Sequence, residues 1–493
     1  MEAAERLTRT WVATEQDEEI DASVNAIVSG DIKLLHVVQA LGEYLTSEED
    51  NLRNKGVEFL ASVVGKCPPE KLTRQSVNVL VTFFTSKLED TETIIPALKG
   101  IFALTTVPSF IDDDAIKIVR ALFAHVTMKA LVQAQRFIVY SIVDSLMAHH
   151  REALKTLGNE FLAGYVNLAD GEKDPRNLLI AFAIARVILV EFDIKDKIED
   201  LFNITFCYFP ITFKPPPDDP YGITSDDLKN ALLGTPLFGD MAIPLLIEKL
   251  NAGSPATKRE TLRTLCVSLP VYGSALARKE ARKLWSSLKL EIFQPTDPIT
   301  EEQALKATQV LIKTIYADDT QVTDEDMQGL AKDACEECIL ILKEPEKSQA
   351  KPAINVLCAF MSTTPSVSKY TLAQAVPHLH KLFLDPAERP SRGAILSRLA
   401  SLIGAARDST LTSQATDSGK EVPPLLPYKD NVLGALTVGL KTPSSAHPAI
   451  DGLDAMITTP GLLEDDELGF VVQNLNDLLT GDARDDVDLS DIK

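Results

Sequence analysis

Cys335 and Cys338, in the stretch "DACEECILIL", are the residues whose type and spacing come nearest to a metal site. A structural zinc or an iron–sulfur cluster needs further ligands beyond such a pair. The only other thiol nearby is Cys358, in "INVLCAF". On a helix, residues three apart share a face. Here that face continues through Leu330, Ala331, Ala334, Ile341 and Leu342. The pair therefore reads first as part of a buried helical stripe and second as a candidate metal site, and no cofactor is expected.

The remaining candidates are weaker. Seven histidines are scattered through the chain. His378 and His380 stand two apart and point in different directions on a helix, while His149 and His150 fall at a helix end, where the dipole favours a cation. Neither G-x-x-x-x-G-K-[ST] nor G-x-G-x-x-G occurs, and G-x-S-x-G and H-E-x-x-H are also missing from the sequence. No catalytic constellation is legible, and a non-enzyme is expected.

One cluster of cations stands out. "ATKRETLRTL" and "ALARKEARKLW" supply Lys258, Arg259, Arg263, Arg278, Lys279, Arg282 and Lys283. These read first as solvated faces of two neighbouring helices, with a protein-binding basic ridge as the alternative. The formal net charge of -22 argues against a dedicated nucleic-acid binder, because phosphate binding needs a basic footprint.

What must position these residues is a long run of helices. The chain has 493 residues, 45% apolar and 24% charged, so it can bury a core. Aromatics are only 6%. Leu, Ala, Ile and Val at helical spacing favour many thin helical layers over a sandwich. "DIKLLHVVQALGEYL" places Ile32, Leu35, Val38 with Val37, and Leu41 on one stripe. Ser47 with Asp50 resembles a capping box for the next helix. The most apolar run, Leu178 to Val190, is interrupted by Arg186 and is too short to span a bilayer, so it reads as a helix buried on nearly all sides. Six scattered cysteines and the lack of a signal-like amino terminus predict a soluble cytoplasmic and nuclear protein.

The helices recur in pairs. "MAIPLLIEKLNAGSPATKRETLRTLCVSL" resembles "QAVPHLHKLFLDPAERPSRGAILSRLASLI". Each has an apolar residue before a proline (Pro244; Pro377), a turn with a second proline (Pro255; Pro390) and a basic residue opening the second helix (Lys258; Arg392). Pro96 in "TIIPALKGIFALT" suggests the same first-helix form. This is the HEAT-repeat pattern, with a unit of about 40 to 47 residues. The predicted fold is an all-α HEAT-repeat superhelical solenoid of antiparallel helix pairs. Its expected parts are amino-terminal repeats over 1–205, a Pro/aromatic-rich excursion over 206–223 and middle repeats over 224–406. A flexible loop over 407–427, further repeats over 428–481 and an acidic tail over 482–493 complete it.

The excursion carries a resemblance. "DLFNITFCYFPITFKPPPDDPYGITSDDLKNAL" followed by "TPLFGDMAIPLLIEKLNAGSPATKRETLRTL" resembles the amino-terminal region of the MMS-nineteen family. These are HEAT-repeat proteins tied to nucleotide excision repair, transcription and cytosolic iron–sulfur assembly. The likeness extends to "LLHVVQALGEYLTSEEDNLRNKGVEFLASVV" and "PRNLLIAFAIARVILVEF". It implies a non-catalytic adaptor of the iron–sulfur targeting complex. The implied partners are the other subunits of that complex and client apoproteins such as repair helicases and polymerases. No direct nucleic acid and no membrane are expected. Family members are about twice as long, with assembly-factor contacts mainly in carboxy-terminal repeats, so client contacts are expected to dominate here. The alternative from composition is an importin-like solenoid binding basic cargo. Within the excursion, Phe206, Tyr208, Phe209, Phe213 and Tyr221 are expected to pack against adjoining repeats. Pro215 to Pro217 favour polyproline II. Ile194, Ile198, Leu201 and Phe202 are assigned to the preceding helix, and Thr224 with Asp227 should cap the next one.

Overall fold

The structure, a computed structural model, describes residues 2–211, 222–317, 330–344, 347–363, 365–385, 391–416 and 422–480. Among these residues all regular structure is helical. The helices form two compact units, Met1–Phe238 and Gly239–Lys493.

The first unit contains α1 (Glu2–Thr14), α2 (Asp17–Ser29), α3 (Leu34–Ala40), α4 (Gly42–Leu45), α5 (Asp50–Lys66), α6 (Arg74–Ser86) and α7 (Ile94–Leu104). It continues with α8 (Asp112–His125), α9 (Gln133–His149), α10 (Arg151–Lys155), α11 (Asn159–Ala169), α12 (Pro175–Glu191), α13 (Ile198–Phe206) and α14 (Ser225–Leu232). Packing sorts them into two rows. In the first row α6, α8, α11 and α13 follow each other. In the second, α2, α5, α7, α9, α12 and α14 stack on one another in sequence. Each pair buries its apolar face only against its neighbours, as expected for a solenoid.

The second unit repeats the scheme. Its first row is α15 (Gly239–Ala252), α17 (Ser274–Phe293), α19 (Leu330–Ile341), α21 (Pro365–Leu384) and α23 (Lys429–Gly439). Its second row is α16 (Pro255–Tyr272), α18 (Pro298–Ile315), α20 (Ala350–Met361), α22 (Arg392–Thr416) and α24 (Pro443–Ile457). α25 (Asp465–Thr480) follows and is tied to the first row by Lys429–Glu467 at 2.6 Å. The predicted all-α HEAT-repeat solenoid is the fold observed.

Helix starts are written in the sequence. Asp174, Ser254 and Asp297 accept from backbone N–H groups of α12, α16 and α18, each followed by proline at the first helical position, where its missing N–H costs nothing. Thr224 and Asp227 form the predicted reciprocal cap of α14, with Thr224 N–H donating to Asp227 Oδ2 at 2.8 Å. Between α16 and α17 the chain turns at Gly273, whose φ of +91° is open to glycine at low cost.

Polar rungs join neighbouring repeats. Arg53 reaches Asp90, Arg120 reaches Glu160 and Asn159 reaches Asp196, at sequence separations of 37, 40 and 37. Arg151 and Lys155 share the carboxylate of Glu191. The repeat length is thus recorded in the ion pairs as well as in the packing.

Several local expectations are corrected. Ser47 and Asp50 form no capping box: Glu49 precedes α5 without a side-chain cap, and Asp50 instead pairs with Arg53 at 2.7 Å. Leu35 is exposed, because the buried stripe runs through Ile32, Val37 and Leu41. Pro96 lies in α7, a second-row helix, whereas Pro244 and Pro377 lie in first-row α15 and α21. Ile194 precedes α13, separated from it by a short 3-10 turn at Lys195–Lys197. The flexible loop expected from residue 407 does not begin there. α22 continues to Thr416, because Ser409 and Thr410 are buried and Thr410 Oγ1 donates back to Ala406 O. Residues 417–421 and the tail beyond 480 lie outside the described residues.

Candidate interaction surfaces

Cys335 and Cys338 lie on α19 and are both buried, at 1% exposure. Burial pushes the Cys335 thiol up to about 12, offset in part by a hydrogen bond with Thr371, and raises Cys338 as well. A thiol held protonated is a poor metal ligand, since metals bind the thiolate. Cys358 sits on α20, where its thiol donates to Ser401 O of α22. Among the described residues no group of three or more His, Cys, Asp or Glu side chains is placed to hold a metal ion.

The seven cations fall on two rows. Lys258, Arg259 and Arg263 belong to second-row α16, and Arg278, Lys279, Arg282 and Lys283 to first-row α17. Lys258 meets the buried Glu291 at 2.5 Å, Arg259 meets Asp297 at 2.7 Å and Arg263 lies 3.8 Å from Glu260. Lys279 pairs with Asp240, Arg282 with Asp333 and Lys283 with Glu280, at 2.6, 2.7 and 2.8 Å. Arg278 Nε donates to Ile315 O at 3.0 Å. The charges serve as rungs and local pairs on two helices.

The aromatic segment is anchored. Phe206 and Phe209 are buried in a stack that runs from Phe202 through Phe206 to Phe209, with centroids 5.1 and 5.4 Å apart. Phe238 meets Phe202 edge-on at 5.2 Å. Tyr208 lies against Phe182, and its hydroxyl donates to Glu172 O at 2.6 Å. At the segment's far end, Ile223 N–H donates to Pro175 O at 2.9 Å. The expected packing of Phe206, Tyr208 and Phe209 is therefore seen. Phe213, Tyr221 and Pro215–Pro217 lie outside the described residues.

Glu172 is the centre of this anchorage. Its carboxylate is buried and accepts from Arg136 Nε and Nη2 at 2.8 and 2.9 Å, from Asn177 Nδ2, and from the N–H groups of Lys173 and Asp174. Burial alone raises its pKa, but these hydrogen bonds outweigh burial and hold it below the usual carboxylate value.

On the second row of the first unit, α9, α12 and α14 enclose a cavity of about 230 Å3, which sequence reasoning missed. The signal was present in the spacing: Ala134, Phe137, Ser141, Asp144 and Ala148 fall on one stripe of α9, and Ala183, Arg186 and Val190 on one edge of α12. That edge is why α12 is not buried all round.

The fold and these sites define a HEAT-repeat protein whose candidate chemical groups are dispersed along its helical rows. The chain belongs to the family described as Dos2-interacting transcription regulator of RNA-Pol-II, which residues 38–294 match, just over half of its length. It is 30% identical over 478 residues to the MMS19 nucleotide excision repair protein homolog of Mus musculus, covering 95% of this chain and 46% of that protein. It is 28% identical over 497 residues to a DNA repair/transcription protein of Saccharomyces cerevisiae, covering 93% and 47%. The chain thus spans about half the length of the curated relatives it matches. Among solved structures it resembles Kap121p bound to Pho4p at 12% identity and a TM-score of 0.47, over 97% of this chain and 49% of that one.

Proposed function

We propose that the chain is a non-catalytic adaptor of cytosolic iron–sulfur protein assembly. In this reading it brings the assembly machinery to apoproteins of DNA replication, repair and transcription. Family membership carries the proposal, together with the repair and transcription names of the relatives. The physical arrangement is consistent with it. A solenoid presents long rows of helices to large partners, and the nearest approach to a metal site is a pair of buried, protonated thiols. The iron–sulfur cluster is cargo for the partners, and both cytoplasm and nucleus are its sites of action. Among the described residues no single helix is long and apolar enough to cross a membrane.

The test is affinity purification of the tagged chain from cells, with quantitative comparison against an unrelated helical-repeat protein. The proposal expects enrichment of targeting-complex subunits or of iron–sulfur apoproteins. Enrichment of apoproteins without the assembly factors would assign this part of the family to client contact. Failure to enrich either class sinks the proposal.

A further inference from the structure

The cavity between α9, α12 and α14 has an uneven lining. Leu179, Ile180 and Ala183 of α12 give it an apolar wall, and Asp144, Arg186 and Asn230 stand around it. Val190 at 66% and Phe137 at 41% exposure extend apolar surface along the same two helices.

Asp144 and Arg186 are the unusual members. Nearly every other cation discussed above is taken up by an acid in its own or the next repeat. Among the described residues neither Asp144 nor Arg186 has an ion-pair partner, and they do not pair with each other, although both line the same cavity. Asp144 is open to solvent as a residue, yet the packing around its carboxyl raises its pKa by burial alone. A third charge on the wall, Asp227, is already engaged in the cap with Thr224.

Complementarity narrows what fits. A purely apolar ligand would leave both charges unpaired and one of them further desolvated, at a cost. A ligand of one charge sign would pair one group and repel the other. The ligand that satisfies the whole lining places an apolar side chain over Ala183, with a basic group for Asp144 and an acidic group for Arg186. We propose that this cavity is a docking groove for a short segment of a partner protein in which an apolar residue is flanked by a basic and an acidic residue. The inference goes beyond the iron–sulfur reading and holds whatever the partner carries.

A displayed library of random twelve-residue peptides, selected on the full chain, tests it. Expected is enrichment of sequences with an apolar residue between opposite charges. Binding of the synthetic peptides should fall at least tenfold in Ala183→Trp, which fills the groove from an exposed position, and about fivefold in each of Asp144→Asn and Arg186→Gln. Circular dichroism and thermal melting should show all three variants folded. The groove assignment is overturned if nothing enriches, if the enriched peptides carry one charge sign, or if their binding is indifferent to the three substitutions. Because the library contains no assembly factor, these outcomes are independent of the purification experiment above.

Discussion

Tyr208 and Glu172, 36 residues apart, meet through a hydrogen bond from the tyrosine hydroxyl to the backbone carbonyl. Three residues beyond Glu172, Pro175 O accepts from Ile223 N–H. Both flanks of the aromatic and proline-rich segment are therefore fastened to one turn, the connection from α11 to α12. Tyr208→Phe should keep the contact with Phe182 and lose only the hydrogen bond. A loss of about 1 kcal/mol is expected in denaturant melts. Phe206→Ala, which breaks the aromatic stack, should cost about 3–5 kcal/mol. Equal effects for the two variants would contradict the anchorage described.

The Arg136–Glu172 pair makes stability pH-dependent. Glu172 titrates lower in the folded chain than its unfolded value of about 4.3. Its contribution is thus complete above that value and is lost as pH falls through the folded pKa. Glu172→Gln should flatten this acid limb, read from urea midpoints between pH 3 and 6. Arg136→Ala leaves a buried carboxylate without its cation and should cost about 3–5 kcal/mol at neutral pH.

Asp144 should behave with the opposite sign. Its folded pKa is raised, so the ionised form opposes folding once pH exceeds that value, and protonation relieves the cost. Asp144→Asn should raise the melting temperature at pH 7 and leave it nearly unchanged at pH 3. A lower melting temperature at pH 7 would show that the carboxylate has a stabilising partner in solution.

Gly100 reverses the ordinary helix rule. Alanine in a helix interior is favoured over glycine by about 1 kcal/mol. A Cβ at Gly100 would lie 2.4 Å from the ring of Phe84, which is completely buried. Gly100→Ala should therefore destabilise the first unit by about 1–3 kcal/mol through overpacking. Stabilisation by the same substitution would mean that the α6–α7 contact is looser than described.

The exposed rungs should be weak one by one. Arg282→Ala removes a surface pair with Asp333 and should change stability by less than about 1 kcal/mol. A much larger effect, or a large change in peptide or nucleic-acid binding, would assign Arg282 to a functional ridge.

Much of the fold was legible because a repeated apolar spacing and proline at helix starts are local signals. Asp174–Pro175, Ser254–Pro255 and Asp297–Pro298 mark their helices without reference to the rest of the chain. Ser47 misled because the same residue types also serve a nearby pair, and Asp50 went to Arg53. The polar tract from Arg407 misled because Ser409 and Thr410 turn inward, Thr410 donating back to Ala406 O within the helix. The partners of the cations on α16 and α17 were not legible because their acids lie one repeat away, as for Arg259 and Asp297, or on the same helix turned inward, as for Lys283 and Glu280. The groove was hidden for a similar reason: Asp144 and Arg186 are 42 positions apart, one repeat, and only stacking brings them to a common cavity.

The rungs between neighbouring repeats have a mechanical consequence. Apolar contacts between repeats are short-ranged and carry no charge to screen, whereas exposed ion pairs are screened over about 8 Å at physiological ionic strength. Along the first unit, pairs such as Arg120–Glu160 and Lys129–Asp170 act as electrostatic springs in parallel with the packed core. Raising the salt concentration should soften the spring and leave the core intact. The stack of helices would then bend more readily without unfolding, so the compliance of the scaffold becomes a quantity set by the solution around it.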